Sequence, residues 1–255
     1  MKSRRTNPLI IIFVISLKPV AMCASTVSSK MLSTIAETEG FLFNDTLTGF
    51  KYIGHRAYEL SKQGYRPLFL YEEAIGFCCG DIVFDKDGLT AAGTMTELIL
   101  KTYRNGNNLC KHMQSLYDKY GEFCCNNGYY FYSDTQVTQT IMEKIRNGGE
   151  YMTKVGPYEV QAIRDLGYPG YDSSTEDKKP TLPVSKSSPM MTLHFTNGCV
   201  VQLRGSGTEP KFKYYIEMRG KPGVKRQIVQ DELNKLSDII LEELLQPTLN
   251  GLIKP

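Results

Sequence analysis

Apolar positions keep two periods along this chain, and the switches between them mark out short strands and helices. Met31, Leu32, Ile35 and Ala36 recur at helical spacing, which predicts a helix over Ser28 to Glu39 stopped by Gly40. Phe50 to Ile53 reads as a short strand, and His55 to Gln63 as a helix ended by Gly64. Pro67 to Tyr71 is an apolar strand that runs straight into Glu72. Two helices follow. Leu89 to Tyr103 puts Ala92, Met95 and Ile99 on one face, and Leu109 to Tyr120 uses Met113, Leu116 and Tyr117. Strands alternating with helices predict an α/β layer on a mixed or parallel sheet. Such sheets hold ligands beyond the carboxyl ends of their strands, which is where Glu72 falls.

The pattern changes near Glu122. Tyr129 to Tyr132 is an aromatic strand, and Thr135 to Arg146 a helix before the Gly148-Gly149 break. Tyr158 to Asp165 alternates as a strand, while Tyr168 to Val184 is rich in Pro, Ser, Asp and Lys and reads as a long surface loop. Met190 to Thr196 and Cys199 to Leu203 flank Asn197-Gly198, the strongest short-range hairpin signal there is. Lys213 to Met218 makes the next strand. Val224 to Leu245 closes the chain as an amphipathic helix through Ile228, Leu233, Leu236, Ile240 and Leu244. The expected fold class is α/β plus α+β: an α/β domain, then a smaller antiparallel-sheet domain covered by helices.

Candidate chemistry concentrates in Arg204-Gly205-Ser206-Gly207-Thr208-Glu209-Pro210-Lys211. Two glycines let the backbone turn with its N–H groups in one concavity. Ser206 and Thr208 add hydroxyls, Arg204 adds a planar fork for two phosphate oxygens, and Pro210 fixes the exit. These residue types so closely spaced point to phosphate or another anion.

The same string, followed by Phe212-Lys213-Tyr214-Tyr215-Ile216-Glu217, resembles the C-terminal signature of the α-D-phosphohexomutases. Gly205 stands where many of that family carry a side chain, a departure that loosens the loop and removes no donor. Thr48-Gly49-Phe50-Lys51-Tyr52-Ile53 resembles the family's substrate-contacting Thr-Gly turn, and Tyr71-Glu72-Glu73-Ala74-Ile75-Gly76 its sugar-specificity loop, usually Gly-Glu-Glu-Ser-Gly. Ala74 replaces the usual serine. Glu-Glu-Ala-Ile-Gly-Phe, Ile163 to Leu166, Gly170 to Ser174 and Leu182 to Ser188 look like the phosphopentomutase and glucose-1,6-bisphosphate synthase branch.

The resemblance runs from about Met22 to Ile253. It implies a third family domain over residues 21–121, with Ala21 to Val27 as its first strand, and a C-terminal domain over 122–255, after an atypical segment 1–20. It further implies that Thr48, Gly49, Lys51, Glu72 and Glu73 meet the sugar, and that Arg204, Ser206, Gly207, Thr208 and Lys213 meet its phosphate. The implied ligand is a sugar phosphate or sugar bisphosphate. The complete enzymes carry Thr-Ala-Ser-His-Asn-Pro, whose serine is the phosphoryl carrier, and Asp-x-Asp-x-Asp-Arg, which holds Mg²⁺. Neither string occurs in these 255 residues. The expectation is therefore the C-terminal half of a phosphomutase. It would bind no metal, provide no catalytic residue and be inactive alone, and it would act with a separate N-terminal half or as a non-catalytic sugar-phosphate module. Asp85-Lys86-Asp87-Gly88 lacks a third carboxylate and reads as a turn with Asp87 at a helix N-terminus. Lys51 has a second reading, a stem lying over neighbouring aromatics.

Hydrophobic content of 41%, 22% charged residues and a net charge of +3 describe an ordinary globular protein, and argue against a nucleic-acid partner. Seven cysteines include no C-x-x-C pair, which disfavours zinc and redox chemistry and suits buried thiols in a reducing, cytoplasmic setting. His55, His112 and His194 are scattered, and His194 is expected at a surface or strand edge. Lys2 to Arg5 followed by Leu9 to Leu17 resembles a leader, the basis of a secreted alternative over residues 1–24 in which the Asn44-Asp45-Thr46 sequon would matter. That apolar run is too short to span a membrane.

Overall fold

The computed structural model describes residues 19–206 and 209–255. These form two compact units that divide between Ser115 and Leu116.

In the first unit the elements run β1 (Val20–Ser25), α1 (Met31–Glu39), β2 (Leu42–Thr46), α2 (Phe50–Lys62), β3 (Arg66–Glu72), β4 (Gly76–Cys79), α3 (Gly88–Arg104) and α4 (Leu109–Tyr120). The sheet order is β2-β1-β3-β4, with β1 parallel to both of its neighbours and β4 antiparallel to β3. Phe50, Ile53, Ala57 and Leu60 on α2 pack with Ala21, Cys23, Leu70 and Cys78 of the sheet. Gly54 lets that helix pass beneath the chain, since a Cβ there would lie 1.9 Å from the Phe84 carbonyl oxygen. The short strand expected over Phe50 to Ile53 is instead the first turn of α2. Phe50 and Ile53 are three residues apart, so they share a helix face, and four residues are too few to separate that period from strand alternation. Two strands escaped the sequence pattern, β2 and β4.

The second unit comprises β5 (Phe123–Phe131), α5 (Gln136–Arg146), β6 (Lys154–Val155), β7 (Tyr158–Asp165), β8 (Tyr171–Asp172), β9 (Met190–Phe195), β10 (Cys199–Gly205), β11 (Lys211–Arg219) and α6 (Arg226–Ile240). A π-helical turn over Leu241–Leu245 extends α6. The strands pair antiparallel in the order β5-β11-β10-β9-β7-β6, with β8 beside β7. Strand alternation gives this sheet two unlike faces. Met191, Leu193, Val201, Leu203, Tyr214 and Ile216 join α5 and α6 in one core with Ile141, Ile145, Leu233 and Ile240. Thr192, Gln202, Arg204, Lys213 and Tyr215 alternate with them and occupy the opposite face.

Asn197-Gly198 makes the β9–β10 turn as expected, with Gly198 at φ +86° and the Asn197 side chain accepting from the Cys199 N–H at 3.1 Å. His194 does not lie at an edge. It is half-buried on β9, between β10 and β7, because the sheet continues past β9 to strands whose pairing no local signal announces. The long loop after β7 starts from a fixed point. Arg146 reaches Asp165 through Nε (2.6 Å) and Nη2 (3.1 Å), and the same buried carboxylate accepts from the Gly167 N–H and the Tyr151 hydroxyl.

Candidate functional site

In the first unit, three parallel strands end together. Ser25 of β1 pairs with Thr46 of β2, and Ala24 pairs with Tyr71 of β3. The segments that leave this edge carry the expected sugar-binding residues. Thr48-Gly49 follows β2, and Gly49 sits at φ +110° as the N-cap of α2, a conformation only glycine adopts readily. Glu72 closes β3, only 7% exposed, and Glu73 begins the turn to β4. Ser28, just past β1, ties the edge together. Its hydroxyl accepts the Glu73 N–H at 2.9 Å and lies 2.7 Å from the Ser25 hydroxyl. Lys30 donates to the Thr26 and Ser28 carbonyl oxygens.

Lys86 reaches this edge from the segment before α3. Its Nζ lies 2.5 Å from Glu72 Oε1. Gly76 makes that approach possible, since a Cβ there would come within 2.7 Å of Lys86 Cε and 2.9 Å of Glu72 Cγ. A carboxylate this buried needs a cation, and Lys86 supplies one while leaving Oε2 to accept other donors. Sequence reasoning missed Lys86 and Ser28, because neither periodicity nor turn chemistry marks a contact between segments far apart in sequence. Lys51 stays exposed, its Nζ 4.9 Å above the Tyr52 ring. The contact is made by the ammonium and not by the stem, a cation–π arrangement.

Asp87 caps α3, with its Oδ1 accepting from the Leu89 and Thr90 N–H groups. A carboxylate committed to two amides is a poor Mg²⁺ ligand. Among the described residues no group of three His, Cys, Asp or Glu side chains is placed to hold a metal. All seven cysteines are free. Burial pushes the Cys23 thiol up to about 12 and the Cys78 thiol to about 11, which removes both as thiolate nucleophiles at neutral pH.

In the second unit the anion-binding string begins at the end of β10. Arg204 and Lys213 are direct cross-strand partners on the polar face. Arg204 Nη2 lies 3.5 Å from the Tyr215 hydroxyl, and its buried Nε has no acceptor among the described residues. Ser206 leaves β10 with its N–H bonded to the Lys211 carbonyl oxygen at 2.8 Å. Lys211 is occupied elsewhere, paired with Glu209 at 3.0 Å and lying over the Tyr129 and Phe131 rings. Gly207 and Thr208 lie outside the described residues. Gly205 does more than loosen the loop. It pairs with Phe212 inside the ladder, and a Cβ there would meet Thr138 Cγ2 of α5 at 3.2 Å.

Residues 9–120 match the family described as phosphoglucomutase/phosphomannomutase, alpha/beta/alpha domain III. The chain is 44% identical over 240 residues to glucose 1,6-bisphosphate synthase of Homo sapiens, covering 92% of this chain and 38% of that protein. It is 43% identical over 236 residues to phosphopentomutase of Homo sapiens, covering 91% and 38%. Its fold resembles that of the open form of pp63/parafusin, a phosphoglucomutase from Paramecium, at a TM-score of 0.63 and 16% identity over 92% of this chain and 39% of that one. At that identity the likeness shows the fold alone, a mixed α/β unit followed in the chain by an antiparallel unit. Residues 9–120 thus match the third domain of the phosphoglucomutase/phosphomannomutase family, and the chain as a whole is similar to part of phosphopentomutase and glucose 1,6-bisphosphate synthase. It spans about two fifths of the length of these relatives, at 38%.

Proposed function

We propose that this chain is the substrate-holding part of a phosphopentomutase- or phosphoglucomutase-type intramolecular phosphotransferase that acts on sugar 1-, 5- or 6-phosphates. The observation that carries the reading is the Arg204–Lys213 pair. Like charges directly opposite each other on neighbouring strands destabilise a sheet unless an anion lies between them, and here one of the two also keeps a buried donor without an acceptor.

In this reading the Arg204 fork and the Lys213 ammonium clamp the phosphate that is not reacting, with Ser206 and, by the family pattern, Gly207 and Thr208 completing the grip. Glu72, held through Oε1 by Lys86, accepts from sugar hydroxyls through Oε2, while Thr48-Gly49 and Glu73 border the same strand ends. These groups position and neutralise, contributions that are large in phosphoryl transfer. The phosphoryl-carrying serine and the Mg²⁺ site would come from the part of the relatives that this chain does not match, in the same polypeptide or in a separate N-terminal half. Seven free thiols favour a reducing, cytoplasmic location. Among the described residues no helix is long and apolar enough to cross a membrane.

Calorimetric titration tests the assignment. Arg204→Gln and Lys213→Gln should each weaken ribose 5-phosphate and inorganic phosphate about tenfold or more, since each removes a charge-assisted bond. Glu72→Gln should weaken the sugar phosphate and leave inorganic phosphate unchanged. Wild-type affinity in the Arg204 and Lys213 variants would sink the reading.

A further inference from the structure

A cavity of about 310 Å³ opens beside β7 and β9 in the second unit, lined by Gln161, Ala162, Ile163, Arg164, Asp172, Ser174 and His194. Its size is at the lower end for small-molecule sites. Local sequence shapes it. Ala162 faces His194 across the β7–β9 pairing, so a methyl stands where a larger side chain would fill the hollow. The register shifts between Val160 and Ala162, a bulge that leaves Gln161 out of the ladder and at the cavity.

The far wall is fixed rather than loose. Arg164 pairs with Asp172 in the β7–β8 ladder, and the Ser173 N–H and hydroxyl bond the Ile163 carbonyl oxygen and N–H, both at 2.9 Å. The buried Asp172 carboxylate accepts the Ser174 N–H at 3.0 Å and its hydroxyl at 2.5 Å. Arg164, Asp172 and Ser174 belong to the Ile163–Leu166 and Gly170–Ser174 runs, to which the sugar and phosphate contacts assign no work.

We infer that this cavity is a second ligand site, separate from the Arg204–Lys213 clamp, and that it takes a small phosphorylated polyol. The Arg164 guanidinium and the His194 imidazole suit a phosphate dianion. The Asp172 carboxylate, the Gln161 amide and the Ser174 hydroxyl in the same lining suit hydroxyl groups, and the carboxylate repels a second anion. The two sites are distinct by their residues. Neither Arg204 nor Lys213 lines the cavity, and β9 lies between Arg204 on β10 and Arg164 on β7.

The experiment uses the full chain with ¹³C-labelled histidine and glycerol 3-phosphate as probe, following the imidazole signals of His55, His112 and His194. Glycerol 3-phosphate should shift the His194 signal saturably and leave His55 and His112 in place. Arg164→Gln should weaken that response about tenfold or more, whereas Lys213→Gln should not change it. A urea transition of the second unit at its wild-type midpoint reports that each variant is folded, and Ser174→Ala gives a milder second variant with a smaller loss. No His194 response, or a response abolished by Lys213→Gln and untouched by Arg164→Gln, overturns the site. Equal affinity for inorganic phosphate overturns the polyol assignment. Because the Lys213 clamp and the Arg164 cavity are tested by different variants, failure of one does not mask failure of the other.

Discussion

Ile75 sits at the tip of the β3–β4 turn with φ +57° and 83% of its surface exposed. A β-branched residue pays roughly 1–2 kcal/mol for left-handed backbone, and exposure returns nothing through burial. Strain kept at the turn that follows Glu72 belongs to the candidate site rather than to the core. Ile75→Asn, which tolerates that backbone, should raise stability by about 1 kcal/mol in urea unfolding with an unchanged slope. A neutral or destabilised variant would show that the loop relaxes around isoleucine. Residue chemistry was the most legible part of this chain. Arg204 is marked by the glycines and hydroxyls beside it and Glu72 by a family resemblance, and the fold sets the first opposite Lys213 and the second beside Lys86. Lys86 is not marked, because its role arises only where Gly76 leaves room for the segment before α3 to reach Glu72.

Among the elements, α3 begins where its sequence indicates, at a carboxylate followed by glycine. The Asp87 carboxyl is held below its ordinary value chiefly by the Thr90 N–H, then by the Thr90 hydroxyl and the Leu89 N–H. A carboxyl lowered in the folded state stabilises above its unfolded pKa of about 3.9 and loses that contribution as pH falls through the folded value. Asp87→Asn keeps a capping side chain but cannot titrate. The stability gap between wild type and this variant should be constant near neutral pH and close below about pH 4, as read from paired urea melts. A gap that persists in acid would mean that the charge does not act through the cap. Other elements were less legible for identifiable reasons. In β2, Asn44 and Asp45 interrupt the apolar alternation, yet parallel pairing with β1 and a 2.8 Å bond from Arg56 Nε to Asn44 Oδ1 hold the strand. Tertiary pairing overrides propensity there.

At the scale of the whole molecule, the two units carry separate cores of unequal size. Among the described residues, eight buried ones centred on α2 make the first, and twenty-five joining α5, α6 and six strands make the second. Stability grows with apolar area removed from water, so the first unit should open at lower denaturant than the second. Hydrogen exchange should show the same order, with the amides of β10 and β11 the last to exchange. Ligand then separates the units further. A group bound only to the folded state stabilises it by about 2.7 kcal/mol at a hundredfold excess over its Kd. Ribose 5-phosphate held by Arg204 and Lys213 should therefore move the second transition to higher denaturant, and Lys213→Gln should cancel most of that shift. A single transition followed alike by every probe would show that the unequal cores unfold as one. A phosphate-dependent shift confined to the first transition would place the anion clamp in the wrong unit.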